Sequence, residues 1–138
     1  MEPTTASSED LLARIRIVLC ETTKPGNIGS AVRALKTMGL SQLLLVRPKA
    51  FPHREASFMA AGAADMLDRV RVYATLDEAL TGVTLAIALS ARRRDLSPVV
   101  VDVREAAEIA AAEARQDGEV AFVFGTEISG LSNDEVLR

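Results

Sequence analysis

The residues best suited to chemistry stand in one junction, Lys24-Pro-Gly-Asn-Ile-Gly-Ser-Ala-Val-Arg33. Before it lies the apolar, β-branched run Ile15-Arg-Ile-Val-Leu-Cys20, which reads as a buried strand. After it Ala31–Gly39 reads as a helix. A strand–loop–helix junction of this kind is where α/β folds bind ligands, in the loops beyond the carboxyl ends of strands. Asn27 is placed to cap the helix, its side-chain oxygen accepting an amide hydrogen of the first turn. Gly29 precedes Arg33 by four residues, so both are expected on one helix face, with room left beside the guanidinium. Asn27 and Arg33 would then form a polar pair at the mouth of a sheet. The plainer alternative is an ordinary cap and a solvated arginine.

A second stretch carries a similar signal near the other end of the chain, Phe122-Val-Phe-Gly-Thr-Glu-Ile-Ser-Gly-Leu-Ser-Asn-Asp-Glu-Val136. Gly125 and Gly130 follow an apolar run, so the backbone can turn sharply and approach a ligand closely. Glu127 lies between them. Charge distribution fits an anionic partner for the first junction. Net charge is −3, yet residues 14–71 hold ten Lys/Arg against four Asp/Glu, while residues 72–138 hold six against twelve. Local potential rather than net charge steers an anion, so the basic half can meet phosphates although the whole chain is acidic. Uniformly solvated charges are the alternative.

The elements that must position these residues follow from the apolar pattern. Strands are expected at about Arg14–Glu21, Gln42–Val46, Val70–Tyr73, Thr84–Leu89 and Val120–Phe124, with a further apolar run at Pro98–Val101. Helices are expected at about Ile28–Met38, stopped by Gly39, and at Glu55–Leu67, interrupted at Gly62. A short helix opens on the capping pattern Thr75-Leu-Asp-Glu78, and another runs from Asp102 to about Arg115 with Val103, Ala106, Ala107, Ile109 and Ala110 on its apolar face. Strands that are apolar throughout and alternate with helices imply an α/β, doubly wound, mainly parallel sheet with helices on both faces. Residues 1–13 read as a flexible leader and 14–138 as one domain. Neither a Gly-x-Gly-x-x-Gly turn nor a Gly-x-x-x-x-Gly-Lys-Ser/Thr phosphate loop is present. Cys20, the only cysteine, cannot form an internal disulfide, and His53, the only histidine, stands in a loop. There is no reason to invoke a metal. Without a secretory signal or an apolar run of membrane-spanning length, the expected location is the cytoplasm.

On these residues the chain resembles the SpoU-type methyltransferases of the SPOUT superfamily. Asn27, Gly29 and Arg33 match that family's first motif, and Phe124-Gly125-x-Glu127-x-x-Gly130-Leu131 matches its second. Leu35-Lys-Thr-Met-Gly-Leu40, Ala60-Ala-Gly-Ala-Ala-Asp65 and Ser90-Ala-Arg92 are similar to the bacterial tRNA ribose methyltransferases within it. The resemblance implies transfer of a methyl group from S-adenosylmethionine to the 2′-hydroxyl of a tRNA nucleotide, number 32 of the anticodon loop, a cytidine or uridine. It implies that Arg33 handles the hydroxyl proton or, as an equally physical role, binds an RNA phosphate and stabilises the developing alkoxide. Asn27 would hold Arg33 or the ribose, and Glu127 would position the catalytic loop. Leu89, Ser90, Gly125, Thr126, Gly130 and Leu131 would line the cofactor pocket, and Lys24, Arg92, Arg93 and Arg94 would meet tRNA phosphates. The family's third motif, a Ser-Leu-Asn-like segment, would lie beyond Glu135, and the sequence stops at Arg138. That segment makes the family's knot and much of its homodimer surface. The 138-residue piece is therefore expected to form an open sheet, to bind the cofactor weakly and to be inactive by itself. A catalytically silent RNA- or nucleotide-binding module is the alternative function.

Overall fold

The computed structural model describes residues 8–89 and 102–125; segments 1–7, 90–101 and 126–138 lie outside the described residues. The elements run α1 (Ser8–Ala13), β1 (Ile15–Cys20), α2 (Pro25–Met38), β2 (Gln42–Val46) and α3 (Arg54–Ala60), with a 3-10 helix at Ala61–Arg69. They continue with β3 (Arg71–Tyr73), α4 (Leu76–Ala79), β4 (Leu85–Leu89), α5 (Val103–Arg115) and β5 (Val120–Phe124). The strands form one five-stranded sheet in the order β3-β2-β1-β5-β4, and every pairing is parallel.

Side chains alternate across a strand, and β2 shows why its apolar run had to be continuous. Leu43 and Leu45 face a core built with Ile28, Val32 and Leu35 of α2 and Ala56 and Ala60 of α3. Leu44 and Val46 face the opposite core, with Val18, Cys20, Ala121 and Val123 beneath Leu76 and Ala79 of α4. Burying each large aliphatic side chain is worth about 1.5–3 kcal/mol, so covering both faces drives the doubly wound arrangement. The expected fold class holds.

Several boundaries differ from expectation for identifiable reasons. α2 begins at Pro25 rather than Ile28, with Lys24 in the N-cap position and no side-chain cap bond. Proline suits the first helical position because its φ is already helical and its missing N–H has no partner to lose. Asn27 is therefore the third residue of the helix and not its cap. The stop at Gly39 is as expected: φ is 80° and the N–H of Leu40 reaches back to the carbonyl of Leu35 at 2.9 Å. The second helical region breaks at Ala61, with φ of 50°, rather than at Gly62. His53 caps α3, its Nδ1 accepting from the N–H of Glu55 at 3.1 Å.

Asp102 caps α5 as expected, its Oδ1 accepting from the N–H of Glu105 at 2.8 Å. The buried stripe of that helix is Ala106, Ala110 and Ala114, whereas Val103 is 78% exposed and Ile109 44%. Ala107 is exposed as well. Strict spacing of four, with small side chains, places the contact along one narrow line. Among the described residues β4 is the edge strand, and Ala86 and Ala88 are exposed, so it is not buried throughout. Ser8–Ala13, assigned from sequence to the leader, forms α1, which packs beside β1 and α5.

Candidate functional site

All strands being parallel, their carboxyl ends share one rim. Leu19 of β1 is level with Phe124 of β5, and Phe124 with Leu89 of β4. Lys24 and Gly125 stand just beyond these ends, so the β1–α2 junction and the start of the second glycine-bounded turn are brought to the same edge of the sheet. Leu89 and Gly125 are half-buried, with Phe124 partly exposed between them at 37%. Of the residues expected from sequence, Ser90, Arg92, Arg93, Arg94, Thr126, Glu127, Gly130 and Leu131 lie outside the described residues.

A tie across this rim has no signal in the sequence. Arg47, directly after β2, donates from Nε and from a terminal nitrogen to Oε1 of Glu21, directly after β1, at 3.1 and 2.9 Å. Both residues adopt left-handed backbone, with φ of 46° and 54°. Non-glycine residues hold that conformation where the surroundings over-determine it. Here Arg47 also donates to the carbonyl of Ala74 at 2.9 Å, and the N–H of Lys49 donates to the carbonyl of Thr22 at 2.9 Å. The loops after β1, β2 and β3 are thereby held together. The partners are 26 residues apart in sequence, which is why spacing gave no hint of them.

Gly29 and Arg33 are four residues apart on α2, but the space at Gly29 is not left for Arg33 as expected. Gly29 is buried, and a Cβ built on it would lie 2.1 Å from the carbonyl oxygen of Ala56 and 2.8 Å from the nitrogen of Ala60. Its missing side chain admits the backbone of α3, not the guanidinium. Arg33 is exposed on the outward side of α2, beside a shallow depression lined by Ser30, Ala34, Thr37 and Met38. Eight residues past Pro25, it lies about 12 Å down the helix axis from the rim. Among the described residues Arg33 makes no ion pair, so its charge is available to an anion. Asn27 and Lys24 are also exposed, Asn27 one turn into α2 and Lys24 at its entrance.

One pair secures the far end of α2. Lys36 Nζ lies 3.1 Å from Oδ1 of Asp65 on the 3-10 helix, and this hydrogen bond holds the Asp65 carboxyl below the ordinary carboxylate range. Among the described residues no cluster of His, Cys, Asp and Glu is arranged to hold a metal ion, and no helix is long and apolar enough to cross a membrane.

Among the described residues a five-stranded parallel sheet brings the β1–α2 junction and the end of β5 to one carboxyl rim. Residues 14–138 match the SpoU rRNA Methylase family, and the chain belongs to it. Among its relatives it is 50% identical over 128 residues to the tRNA (cytidine/uridine/adenosine-2'-O-)-methyltransferase TrmJ of Pseudomonas aeruginosa, which covers 93% of this chain and 50% of that protein. TrmJ of Klebsiella pneumoniae is 48% identical over the same share of this chain, 93%, and 52% of its own length. The chain thus spans about half the length of the curated relatives it matches. A probable methyltransferase from Bordetella pertussis superposes with a TM-score of 0.87 at 44% identity, over 94% of this chain and 79% of that one. TrmJ from Z. mobilis does so with a TM-score of 0.82 at 33% identity, over 88% and 53%.

Proposed function

We propose that residues 14–138 are the methyltransferase domain of an S-adenosylmethionine-dependent tRNA 2′-O-methyltransferase that acts on the ribose of nucleotide 32. The observation that carries this reading is the meeting of the β1–α2 junction with the ends of β4 and β5 at one rim, in a chain half identical to a tRNA 2'-O-methyltransferase. The described residues at this rim are compatible in position with a cofactor site. Leu89 and Gly125, half-buried, and Phe124, 37% exposed, stand at the carboxyl ends of adjacent parallel strands, the position at which α/β sheets take ligands. Ser90, Thr126, Gly130 and Leu131 complete that site in this reading.

When bound, S-adenosylmethionine supplies an electrophilic methyl group. The chain has to hold the ribose oxygen in line with that methyl and stabilise charge as the oxygen loses its proton. A guanidinium stays protonated at any ordinary pH and is a poor base. Arg33 therefore binds the adjacent phosphate or the developing alkoxide, Asn27 orients the ribose, and Glu127 orders the turn after β5. Lys24 and the Arg92-Arg93-Arg94 run neutralise tRNA phosphates. In this reading the protein works as a cytoplasmic homodimer.

The test is transfer of labelled methyl groups to unmodified tRNA by the full-length protein, with the modified nucleotide mapped. Arg33→Ala is expected to lower kcat by about 10²–10³-fold, the usual effect of removing one preorganised charge-stabilising donor. It should leave folding intact, since Arg33 is exposed. Full activity of that variant would remove Arg33 from the mechanism, and RNA binding without methyl transfer by the parent would establish the silent-module alternative.

A further inference from the structure

We propose that the outward face of α3, from Arg54 to Phe58 and Met59, is a contact surface for unpaired tRNA nucleotides, with Phe58 as the platform on which a base stacks. The proposal rests on the tRNA reading above and extends it to a surface away from Asn27 and Arg33. Phe58 is 82% exposed in a chain with only four phenylalanines, one tyrosine and no tryptophan. Its helix is anchored from behind: Ala56 and Ala60 are fully buried, and their backbone closes on Gly29. Arg54 precedes Phe58 by four residues and so shares its face. Met59 is 42% exposed and touches the first turn of α2, its Cγ being 3.3 Å from where a Cβ on Gly26 would lie. Apolar surface therefore continues from α3 to the entrance of α2, where Lys24 stands.

Charge decides what kind of partner fits. Residues 22–64 contain six Lys/Arg and a single acid, Glu55. Lys24, Lys49 and Arg54 are exposed and enter no ion pair among the described residues, while Glu21, the nearest other carboxylate in sequence, is already engaged by Arg47. The backbone bond from Lys49 to Thr22 sets its loop beside the one that ends in Lys24. An exposed aromatic in a cation-rich segment, where Glu55 on the same helix is the single acid, suits a polyanion that presents π faces, which is single-stranded nucleic acid. Paired bases would have no face to offer, and a protein partner would more often meet an apolar centre free of charge. The last turn of α3 meets the first turn of α2, Met59 against Gly26, while Ala56 meets Gly29 further along, so a loop presented to Lys24 can lay a neighbouring base on Phe58.

The experiment measures affinity for an unmodified tRNA transcript, its isolated anticodon stem-loop and a duplex of equal length, together with methyl-transfer kinetics, for the full-length parent, Phe58→Ala, Phe58→Trp and Arg54→Glu. Phe58→Ala is expected to weaken tRNA and stem-loop binding by about fivefold or more, to leave duplex binding and S-adenosylmethionine affinity unaltered, and to raise the KM for tRNA correspondingly. Phe58→Trp should retain binding, and Arg54→Glu should weaken it and flatten its salt dependence. An 82% exposed side chain can be removed without unfolding, and circular dichroism confirms that in the same samples. A parent that methylates tRNA while Phe58→Ala matches it within twofold overturns the surface alone. A change in oligomeric state on Phe58→Ala, with tRNA affinity following that change, overturns it in favour of a protein interface. A parent that transfers no methyl group to tRNA overturns the functional reading and this surface with it.

Discussion

Gly29→Ala is the substitution that most directly tests how α2 is held. A Cβ at this position would lie 2.1 Å from the carbonyl oxygen of Ala56, 2.9 Å from its carbonyl carbon and 2.8 Å from the nitrogen of Ala60. All three atoms are backbone, so no side-chain rotation relieves the clash and α3 must retreat by roughly 1 Å to restore ordinary contact. Such a gap forfeits a quarter to a half of the dispersion energy where Ile28 and Val32 meet Ala56 and Ala60. Overpacking strain with this loss costs about 3 kcal/mol, and the better helix propensity of alanine returns about 1 kcal/mol, leaving about 2 kcal/mol of destabilisation. For a domain of this size that is a fall in Tm of roughly 8 °C. Chemical denaturation read by circular dichroism measures it, with Gly62→Ala as control, because a Cβ on Gly62 meets nothing within 4 Å. A Gly29→Ala protein as stable as the parent would refute the close approach. Loss of activity at unchanged stability would instead restore the expectation that Gly29 makes room for Arg33.

Two further outcomes follow from local geometry. Lys36→Met should raise the pKa of Asp65 back toward 3.8, because its hydrogen bond to Lys36 is the largest cause of the lowering. The parent's folded-state pKa lies below the unfolded value, so the pair's contribution is present above pH 3.8 and is lost as pH falls through the lowered pKa. Both partners are well exposed, so Tm at neutral pH should barely move while a carboxyl titration followed by NMR detects the shift. Asp102→Ala should cost about 1 kcal/mol by orphaning the N–H of Glu105, visible as faster amide exchange in the first turn of α5, whereas Asp102→Asn should retain most of the cap.

Sequence alone determined the class of fold and singled out two stretches as candidates for chemistry. Continuous apolar runs such as Leu43–Val46 cannot be satisfied by a sheet with one wet face, and caps such as Asp102, Thr75 and Gly39 act within a few residues of themselves, so both are legible from order and type. Only the tertiary structure decided which face each residue takes. Pro25 moved the start of α2 upstream and turned Asn27 from a cap into a helix residue. The approach of α3 claimed Gly29, and the pairing of Arg47 with Glu21 bound together loops distant in sequence. The physical reason is the same in each case. A helix phase or a loop partner is chosen by which backbone lies opposite, and that neighbour is set by strand order, which no local run of residues encodes.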